Sequence, residues 1–193
     1  MATPSPSEEG PEGEREPESA SDAEAAALSD SLDDALARCY RHLGRREHST
    51  AELRERLGRA KVDADTIHEA LAIVTDQGYL DDERYARMLA EDRRSIDGWG
   101  VDRIRERLVR AGVDREIVDA TLAAFDHRSE CDAAVALLSR RVRASPQTDA
   151  ERQRAFAILI RQGYDSDVAY DAVRRFQATQ PSAGLAMDGV GTD

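Results

Sequence analysis

The chain of 193 residues is poor in cysteine, in aromatic residues and in lysine. Its two cysteines, Cys39 and Cys131, stand far apart, which excludes a disulfide framework and a cluster of zinc-binding cysteines. A reducing, cytoplasmic location is the simplest interpretation. Aromatic residues make up 5% of the chain and hydrophobic residues 40%. The core must therefore consist mainly of Leu, Ile, Val and Ala, which suits packed helices.

Several functional signals are also missing. The N-terminus has neither the basic start nor the apolar run of a signal peptide, and no stretch approaches the ~18 apolar residues of a membrane helix. The sequence contains no glycine-rich phosphate loop, no Ser-His-Asp pattern and no HExxH motif. We therefore expect no catalytic residue, no cofactor, no metal and no membrane partner. No run of β-branched residues alternates with period two, so the sequence predicts no strand.

Charge is spread unevenly along the chain. The net charge is −12, from 27 basic and 39 acidic side chains, which excludes a generally basic nucleic-acid coat. Residues 1–28 hold eight acidic side chains against Arg15 and almost no large apolar ones, which predicts a disordered acidic tail. Residues 178–193, rich in Gly, predict a flexible C-terminal tail. The segment 29–177 is left with a net charge of −3.

That middle segment contains an internal repeat. Leu57, Leu108 and Leu159 recur at a spacing of 51 residues, and a second register upstream has a spacing of 49. Repeats of this size bury little core alone and lean on their neighbours. The sequence thus predicts an all-α fold of three tandem three-helix repeats that form an elongated, curved helical solenoid. The predicted repeats cover residues 29–78, 79–127 and 128–177.

Cap residues mark where the predicted helices end and begin. Gly112 and Gly163 stand where a helix C-terminus needs a left-handed residue, and Lys61 takes that position in the first repeat. A lysine there is unfavourable, because residues with a Cβ resist left-handed geometry. Ser49 and Glu52, placed just before an apolar run, predict a capping box.

Arginines form a stripe beside the apolar face of the second repeat. The stripe comprises Arg103, Arg107 and Arg110, and its arginine equivalents in the other repeats are Arg56, Arg59, Arg154 and Arg161. A solenoid could align them into a basic ridge that contacts a partner. Glutamates four residues earlier, such as Glu106 before Arg110, favour a solvated helix face instead, whereas the recurrence of arginine at 59, 110 and 161 favours a contact. Both interpretations remain open at this point.

The remaining candidate ligands are isolated in sequence. Cys39 and His42 are three residues apart on a helix, but Cys39 aligns with core positions and no second pair complements them. We interpret His48, His68 and His127 as surface histidines.

Two further features allow a structural interpretation. Trp99, the only tryptophan, is either a packing plug or an exposed contact. The acidic run Asp81-Asp82-Glu83 is explained by the preference of helix N-termini for acids rather than by a metal.

Four motifs, in order along residues 33–177, resemble those of the RecX family, bacterial regulators of the RecA recombinase. They are Arg46-Glu47-His48-Ser49 with Glu52-Leu53 and Leu57, then Gly78-Tyr79-Leu80-Asp81-Asp82-Glu83-Arg84-Tyr85-Ala86, then Gly98-x-Gly100 with Arg103-Ile104, Leu108 and Gly112-Val113, and finally Leu159 with Arg161-Gln162-Gly163-Tyr164. Two residues depart from the family pattern: Lys61 replaces a usual glycine and Val101 a usual proline.

The resemblance implies a non-enzymatic, cytoplasmic, all-helical protein without a cofactor. RecX proteins bind RecA and its filament on single-stranded DNA, lie in the filament groove and mostly inhibit recombinase, ATPase and coprotease activities, which connects them to DNA repair, recombination and the SOS response. A monomer is expected, with weak or indirect contact to nucleic acid. The residues themselves leave two alternatives: a direct DNA-binding protein with helix-turn-helix-like repeats, which the −3 charge disfavours, and a scaffold for another protein.

Overall fold

In a computed structural model, the backbone is described for residues 20–179 and the side chains for residues 31–179. This range folds into nine α-helices and no strand, which confirms the all-α prediction. The helices are α1 Ala20–Leu43, α2 Thr50–Arg59, α3 Ala64–Asp76, α4 Asp82–Ser95, α5 Val101–Arg110, α6 Arg115–Leu122, α7 His127–Arg141, α8 Asp149–Arg161 and α9 Ser166–Thr179. None of the helices in this range is long and apolar enough to cross a membrane.

Three separate hydrophobic cores divide the helices into three modules. Module 1 comprises α1–α3, module 2 comprises α4–α6 and module 3 comprises α7–α9. In each module the first and third helices pack most extensively against one another. Leu57, Leu108 and Leu159 are at most 1% exposed and give the second helix of each module its central core contact. Leu80 also packs in the core of module 1, two residues beyond the predicted boundary at residue 78.

The N-terminal boundary of the helical region differs from the prediction. Helix α1 begins at Ala20, whereas the sequence predicted a disordered tail through residue 28. Residues 20–27 include five alanines, the residue with the highest helix propensity, and acidic Asp22 near the helix N-terminus. Local propensity therefore extends α1 without a large apolar face. Residues 1–19 and 180–193, and with them most of both predicted tails, lie outside the described residues.

Helix caps follow the sequence signals with one exception. Gly112 and Gly163 end their helices with φ of +73° and +84°, and Lys61 adopts φ of +62° at the equivalent position of module 1. The Ser49 hydroxyl accepts a hydrogen bond from the Glu52 N–H at 3.1 Å, as predicted. The second half of the predicted capping box is wrong, because the Glu52 carboxylate turns away from the N-cap and contacts module 2.

Candidate functional site

The seven arginines of the predicted ridge fall into two groups. Arg103 and Arg107 are partly buried and contact a neighbouring module. The other five are exposed, namely Arg56, Arg59, Arg110, Arg154 and Arg161. The ridge therefore includes both connections between modules and a set of exposed surface charges.

Three of the exposed arginines occupy the same position in successive modules. Arg59, Arg110 and Arg161 each form the last residue of the second helix of their module, and we call them the end-of-helix arginines. Arg59 pairs with Glu55 at 2.5 Å and Arg110 with Glu106 at 3.8 Å, with both arginine side chains more than 70% exposed. Such exposed pairs contribute only ~0–1 kcal/mol, so they leave both arginines available to a partner.

Exposed apolar side chains precede two of these arginines. Val109 is 58% exposed and Ile160 is 42% exposed, and each stands directly before an end-of-helix arginine. Helix α5 and helix α8 thus present the same pair of an apolar and a basic side chain at their C-terminal ends. Gly58 stands at the equivalent position in module 1.

The junction between modules 1 and 2 is a tight polar contact. The Ser49 hydroxyl donates to the carbonyl of Ala111 at 2.5 Å, and the Thr50 N–H donates to the carboxylate of Asp82 at 2.8 Å. A Cβ atom at Gly112 would overlap Ala51. The N-terminus of α2 is therefore held against the C-terminus of α5 and the N-terminus of α4.

Glu52 is contacted by polar and basic side chains from both modules of this junction. Its carboxylate accepts hydrogen bonds from His48 at 3.0 Å, from Arg107 at 3.3 Å and from the Tyr85 hydroxyl at 3.3 Å, and Arg46 pairs with it at 3.1 Å. Burial opposes ionisation, but the hydrogen bonds from His48 and Arg107 hold the pKa of Glu52 below its usual value. Glu52 is thus an anion shared by two modules.

The surface position predicted for His48 is wrong. The ring is only 2% exposed and packs edge to face with His42, with 5.8 Å between ring centroids. Burial lowers the pKa of His48 below its ordinary value, although the bond to Glu52 opposes this shift. By contrast, His68 is exposed as predicted.

The signature segment around Tyr79 closes the loop between α3 and α4. The Arg84 guanidinium donates to the carbonyls of Gly78 at 3.0 Å and Tyr79 at 2.9 Å, and it pairs with Glu47 at 3.1 Å. Asp81 caps α4 by accepting from the Arg84 N–H at 2.9 Å. These residues hold the connection between modules 1 and 2.

The junction between modules 2 and 3 repeats this arrangement with backbone groups. The Gly100 N–H donates to the carbonyl of Gln162 at 2.8 Å, and the Asp102 N–H donates to that of Gly163 at 3.1 Å. The Arg103 guanidinium donates to the side chain of Gln162 at 2.6 Å. A Cβ atom at Gly163 would lie 2.5 Å from the backbone nitrogen of Arg103. Only glycine permits this approach, because any Cβ would force the two helix ends apart.

A buried carboxylate completes the second junction. Glu130 is 5% exposed, forms an ion pair with Arg94 and accepts a hydrogen bond from the Val101 N–H at 3.2 Å. Burial raises the pKa of Glu130 above its usual value, against the opposing effect of Arg94. Burial beside this carboxylate also raises the pKa of Tyr164 to about 12. The two junctions share this use of a carboxylate. Glu130 accepts from the first N–H of α5, just as Asp82 accepts from the first N–H of α2, so in each case the acceptor comes from the following module.

Trp99 is a packing plug at this junction. Its ring is partly buried against the core of module 2 and lies between two guanidinium groups, with Arg103 at 4.3 Å and Arg93 at 5.2 Å from the ring centroid. Gly98 next to it is buried, and a Cβ there would press on Leu137 of module 3. The alternative of an exposed contact is not supported.

One constellation was missed from the sequence. His127 was interpreted as an isolated surface residue, yet its Nε2 lies 3.1 Å from a carboxylate oxygen of Asp171 and 3.4 Å from the sulfur of Cys131. The spacing of four between His127 and Cys131 on a helix could have indicated this pair. Asp171 comes from α9, so only the packing of α7 against α9 brings it there.

These contacts define the class of protein: a series of three-helix modules in which the N-terminus of the second helix of modules 1 and 2 joins the module to the next one. Comparison with known proteins gives the family. The model of the RecX first three-helix domain matches residues 35–72, and that of the RecX second three-helix domain matches residues 81–122. The chain belongs to the RecX family of regulatory proteins.

Individual relatives support this assignment. Regulatory protein RecX of Deinococcus radiodurans is 36% identical over 139 residues, which cover 72% of this chain and 66% of the relative. Regulatory protein RecX of Mycobacterium sp. strain KMS is 31% identical over 176 residues, which cover 88% of this chain and 90% of the relative.

Solved structures share the fold. The crystal structure of RecX from Lactobacillus salivarius has a TM-score of 0.69 at 16% identity and covers 78% of this chain and 99% of that chain. A second crystal structure, of a regulatory protein RecX, has a TM-score of 0.68 at 21% identity and covers 80% of this chain and 77% of that chain.

Proposed function

We propose that the chain binds the RecA recombinase and its filament on single-stranded DNA and, by binding, restrains recombinase, ATPase and coprotease activities. Membership of the RecX family, and what that resemblance implies, support this choice of partner. In this proposal the protein acts in the cytoplasm as a monomer, performs no catalysis of its own and contacts nucleic acid only weakly.

The observation that carries the proposed contact surface is repetition. Each module ends its second helix with an exposed arginine, and in modules 2 and 3 an exposed apolar residue precedes it. A partner that repeats, such as a protein filament on DNA, could meet these positions one after another. Several contacts of modest strength then act together, because each bound module raises the effective concentration of the next.

Arg103 and Arg107 have a different role in this proposal. Both connect modules, so their reversal to glutamate would disturb the junctions before it tested any partner contact. The variant that tests the surface is therefore the triple reversal of the end-of-helix arginines, Arg59→Glu, Arg110→Glu and Arg161→Glu.

The chain offers a matched control on other helices, α4, α6 and α9. Arg87, Arg115 and Arg174 are exposed arginines in other helical positions, and their reversal changes the net charge by the same amount. Both variants are compared with the parent protein for inhibition of DNA-dependent ATP hydrolysis and strand exchange by RecA, after circular dichroism has shown that each is folded.

We expect the reversal of the end-of-helix arginines to weaken inhibition at least tenfold. An exposed charge contact contributes ~0.5–1 kcal/mol and its reversal roughly doubles the loss, while ~1.4 kcal/mol corresponds to a factor of ten in binding. The control variant is expected to stay within about twofold of the parent, a change of less than ~0.5 kcal/mol. Equal effects of the two variants would indicate net charge rather than these positions.

Binding to single-stranded DNA with and without RecA separates the alternatives. The proposal requires association that depends on RecA. Equal binding to bare DNA would favour a direct DNA reader, and no binding in either case would leave a scaffold for another protein.

A further inference from the structure

Module 3 contains a convergent set of donor atoms that plays no part in the junctions. His127 is the first residue of α7, Cys131 lies one turn later on the same helix, and Asp171 projects from α9. The His127 Nε2, the Cys131 sulfur and a carboxylate oxygen of Asp171 all lie within 4.8 Å of one another. Cys131 is completely buried, whereas the side chains of His127 and Asp171 are 52% and 41% exposed.

Two of the three spacings between these atoms are close to those in the ligand shell of a tetrahedral metal, and the third, from the Cys131 sulfur to the Asp171 oxygen, is within 4.8 Å. With metal bonds of about 2.0–2.1 Å to nitrogen, 2.3 Å to sulfur and 2.0–2.2 Å to oxygen, neighbouring ligands in a tetrahedron lie about 3.3–3.5 Å (N to O) and about 3.5–3.6 Å (N to S) apart. The observed separations are 3.1 Å from nitrogen to oxygen and 3.4 Å from nitrogen to sulfur.

Hydrogen bonds alone cannot satisfy both contacts of the His127 ring nitrogen. Both contacts converge on the same ring nitrogen, Nε2, which carries at most one hydrogen. If Nε2 is protonated, its hydrogen is donated to the Asp171 carboxylate, and the Cys131 sulfur accepts at most a weak hydrogen bond from it. If it is not protonated, it can accept from the thiol, but its lone pair then faces the carboxylate. A cation between the three atoms removes this conflict.

The surroundings suit a cation that replaces the thiol proton. The carboxylates of Asp171, Asp132 and Glu130 lie near the Cys131 sulfur, together with the guanidinium of Arg175. Arg175 is itself paired with Asp132 at 3.4 Å. Because Glu130 is paired with Arg94 and Asp132 with Arg175, Asp171 is the carboxylate that compensates a bound positive ion.

The neighbouring modules do not repeat this feature. Helix α4 begins at Asp82, and the 49-residue register places its counterpart at residue 131, yet α7 begins one turn earlier, at His127. The turn that supplies the histidine is thus absent from α4, and the residues equivalent to Cys131 in modules 1 and 2 are Asp33 and Asp82.

We propose that His127, Cys131 and Asp171 form a binding site for a divalent metal ion of the Zn²⁺ class, with water as the fourth ligand. A thiolate, an imidazole and a carboxylate together favour Zn²⁺ over Mg²⁺ or Ca²⁺, which prefer oxygen ligands alone. The ion would tie the N-terminus of α7 to α9 and so stabilise module 3.

The test uses Co²⁺ as a spectroscopic probe on the full, reduced protein, followed by displacement with Zn²⁺. We expect one equivalent of Co²⁺ to give a thiolate-to-cobalt charge-transfer band, and Zn²⁺ to remove the band and raise the melting temperature. Cys131→Ala should abolish the band. Asp171→Asn, a change at a half-exposed residue that keeps the thiol and the fold, should weaken Co²⁺ binding at least tenfold.

The chain offers matched controls. Cys39 is also a buried cysteine with a histidine nearby in sequence, and His68 is an exposed histidine, so Cys39→Ala and His68→Gln should retain the band and the affinity. The site is refuted by a parent protein without the band, by a band that persists in Cys131→Ala, or by unchanged Co²⁺ affinity in Asp171→Asn. These readouts involve neither RecA nor DNA, so they stand apart from the proposed function.

Discussion

At the residue scale, the carboxylate of Glu52 accepts hydrogen bonds and ion pairs from side chains of two modules. His48 and Arg46 belong to module 1, and Arg107 and Tyr85 to module 2. Removal of a shared charge of this kind leaves several buried donors without an acceptor, which costs more than the loss of an exposed ion pair. The integrity of the first junction thus depends on the protonation states around Glu52.

The buried His48 predicts that the protein loses stability as the pH falls. Its folded-state pKa is lowered, so the unfolded chain binds the proton more readily, and stability declines as the pH falls below the ordinary histidine value of 6.5. His42, whose pKa is also lowered by burial and by nearby arginines, contributes in the same direction. Glu52, with its lowered pKa, adds a loss at more acidic pH.

Melting temperatures at about pH 7 and about pH 5.5, the range in which histidine titrates, provide the measurement. His48→Gln keeps a donor for Glu52 but cannot be protonated, so we expect a smaller drop in melting temperature than in the parent. His68→Gln should retain the full drop. A drop in His48→Gln as large as that of the parent would contradict the assignment.

At the element scale, the second helix of each module has two tasks. Its apolar face fills the core of its own module, and in α2 and α5 its N-terminus reaches the next module. At the second junction, the N-terminus of α5 lies so close to the end of α8 that Arg103 occupies the space in which a Cβ at residue 163 would lie. The glycines at the ends of α5 and α8 are therefore required by packing as well as by backbone geometry.

A comparison of two glycines with similar φ angles distinguishes the requirement of packing from that of backbone geometry. Gly163 has φ of +84° and Gly78 has φ of +75°, but a Cβ at Gly78 meets no atom within 4 Å. We expect Gly78→Ala to cost about 1–2 kcal/mol from left-handed strain alone. Gly163→Ala should cost about 1–3 kcal/mol more, because the added methyl overpacks the junction. Urea denaturation measures both values, and equal losses would show that the junction relaxes freely.

The sequence predicted the helices and their caps well because those signals are local. The apolar stripe through Leu108 and the left-handed positions at Gly112 and Gly163 can be read within a few residues. The roles of Arg103 and Arg107 could not be read in this way. On a single helix they resemble solvated charges, and only the packing of one module on the next brings Gln162 and Glu52 to them.

At the scale of the whole molecule, the modules follow one another in series. The hydrogen bonds and ion pairs that connect modules within residues 31–179 join module 1 to module 2 or module 2 to module 3, and none joins module 1 to module 3. Module 2 therefore transmits any coupling between the ends of the series, as nearest-neighbour contacts do in repeat proteins.

Trp99 provides a natural probe of this coupling. It is the only tryptophan and lies at the second junction, so its fluorescence reports that junction while circular dichroism reports all helices. We expect the two denaturation curves of the parent protein to coincide. In Gly163→Ala the fluorescence transition should occur at lower urea than the helical transition, because the junction opens first. Separate curves in the parent would mean that the modules unfold independently.

Lys61 and the start of α8 have a consequence for building longer arrays of this fold. Residue 61 corresponds to Gly112 and Gly163, the positions against which a preceding module packs, and a lysine carries the Cβ atom that those glycines lack. At the other end, the N-terminus of α8 is closed by its own capping box of Thr148 and Glu151, whereas α2 and α5 borrow a carboxylate from the next module. A designer who wished to graft a fourth unit would thus need glycine at residue 61 to add it in front, or an opened cap at Thr148 to add it behind.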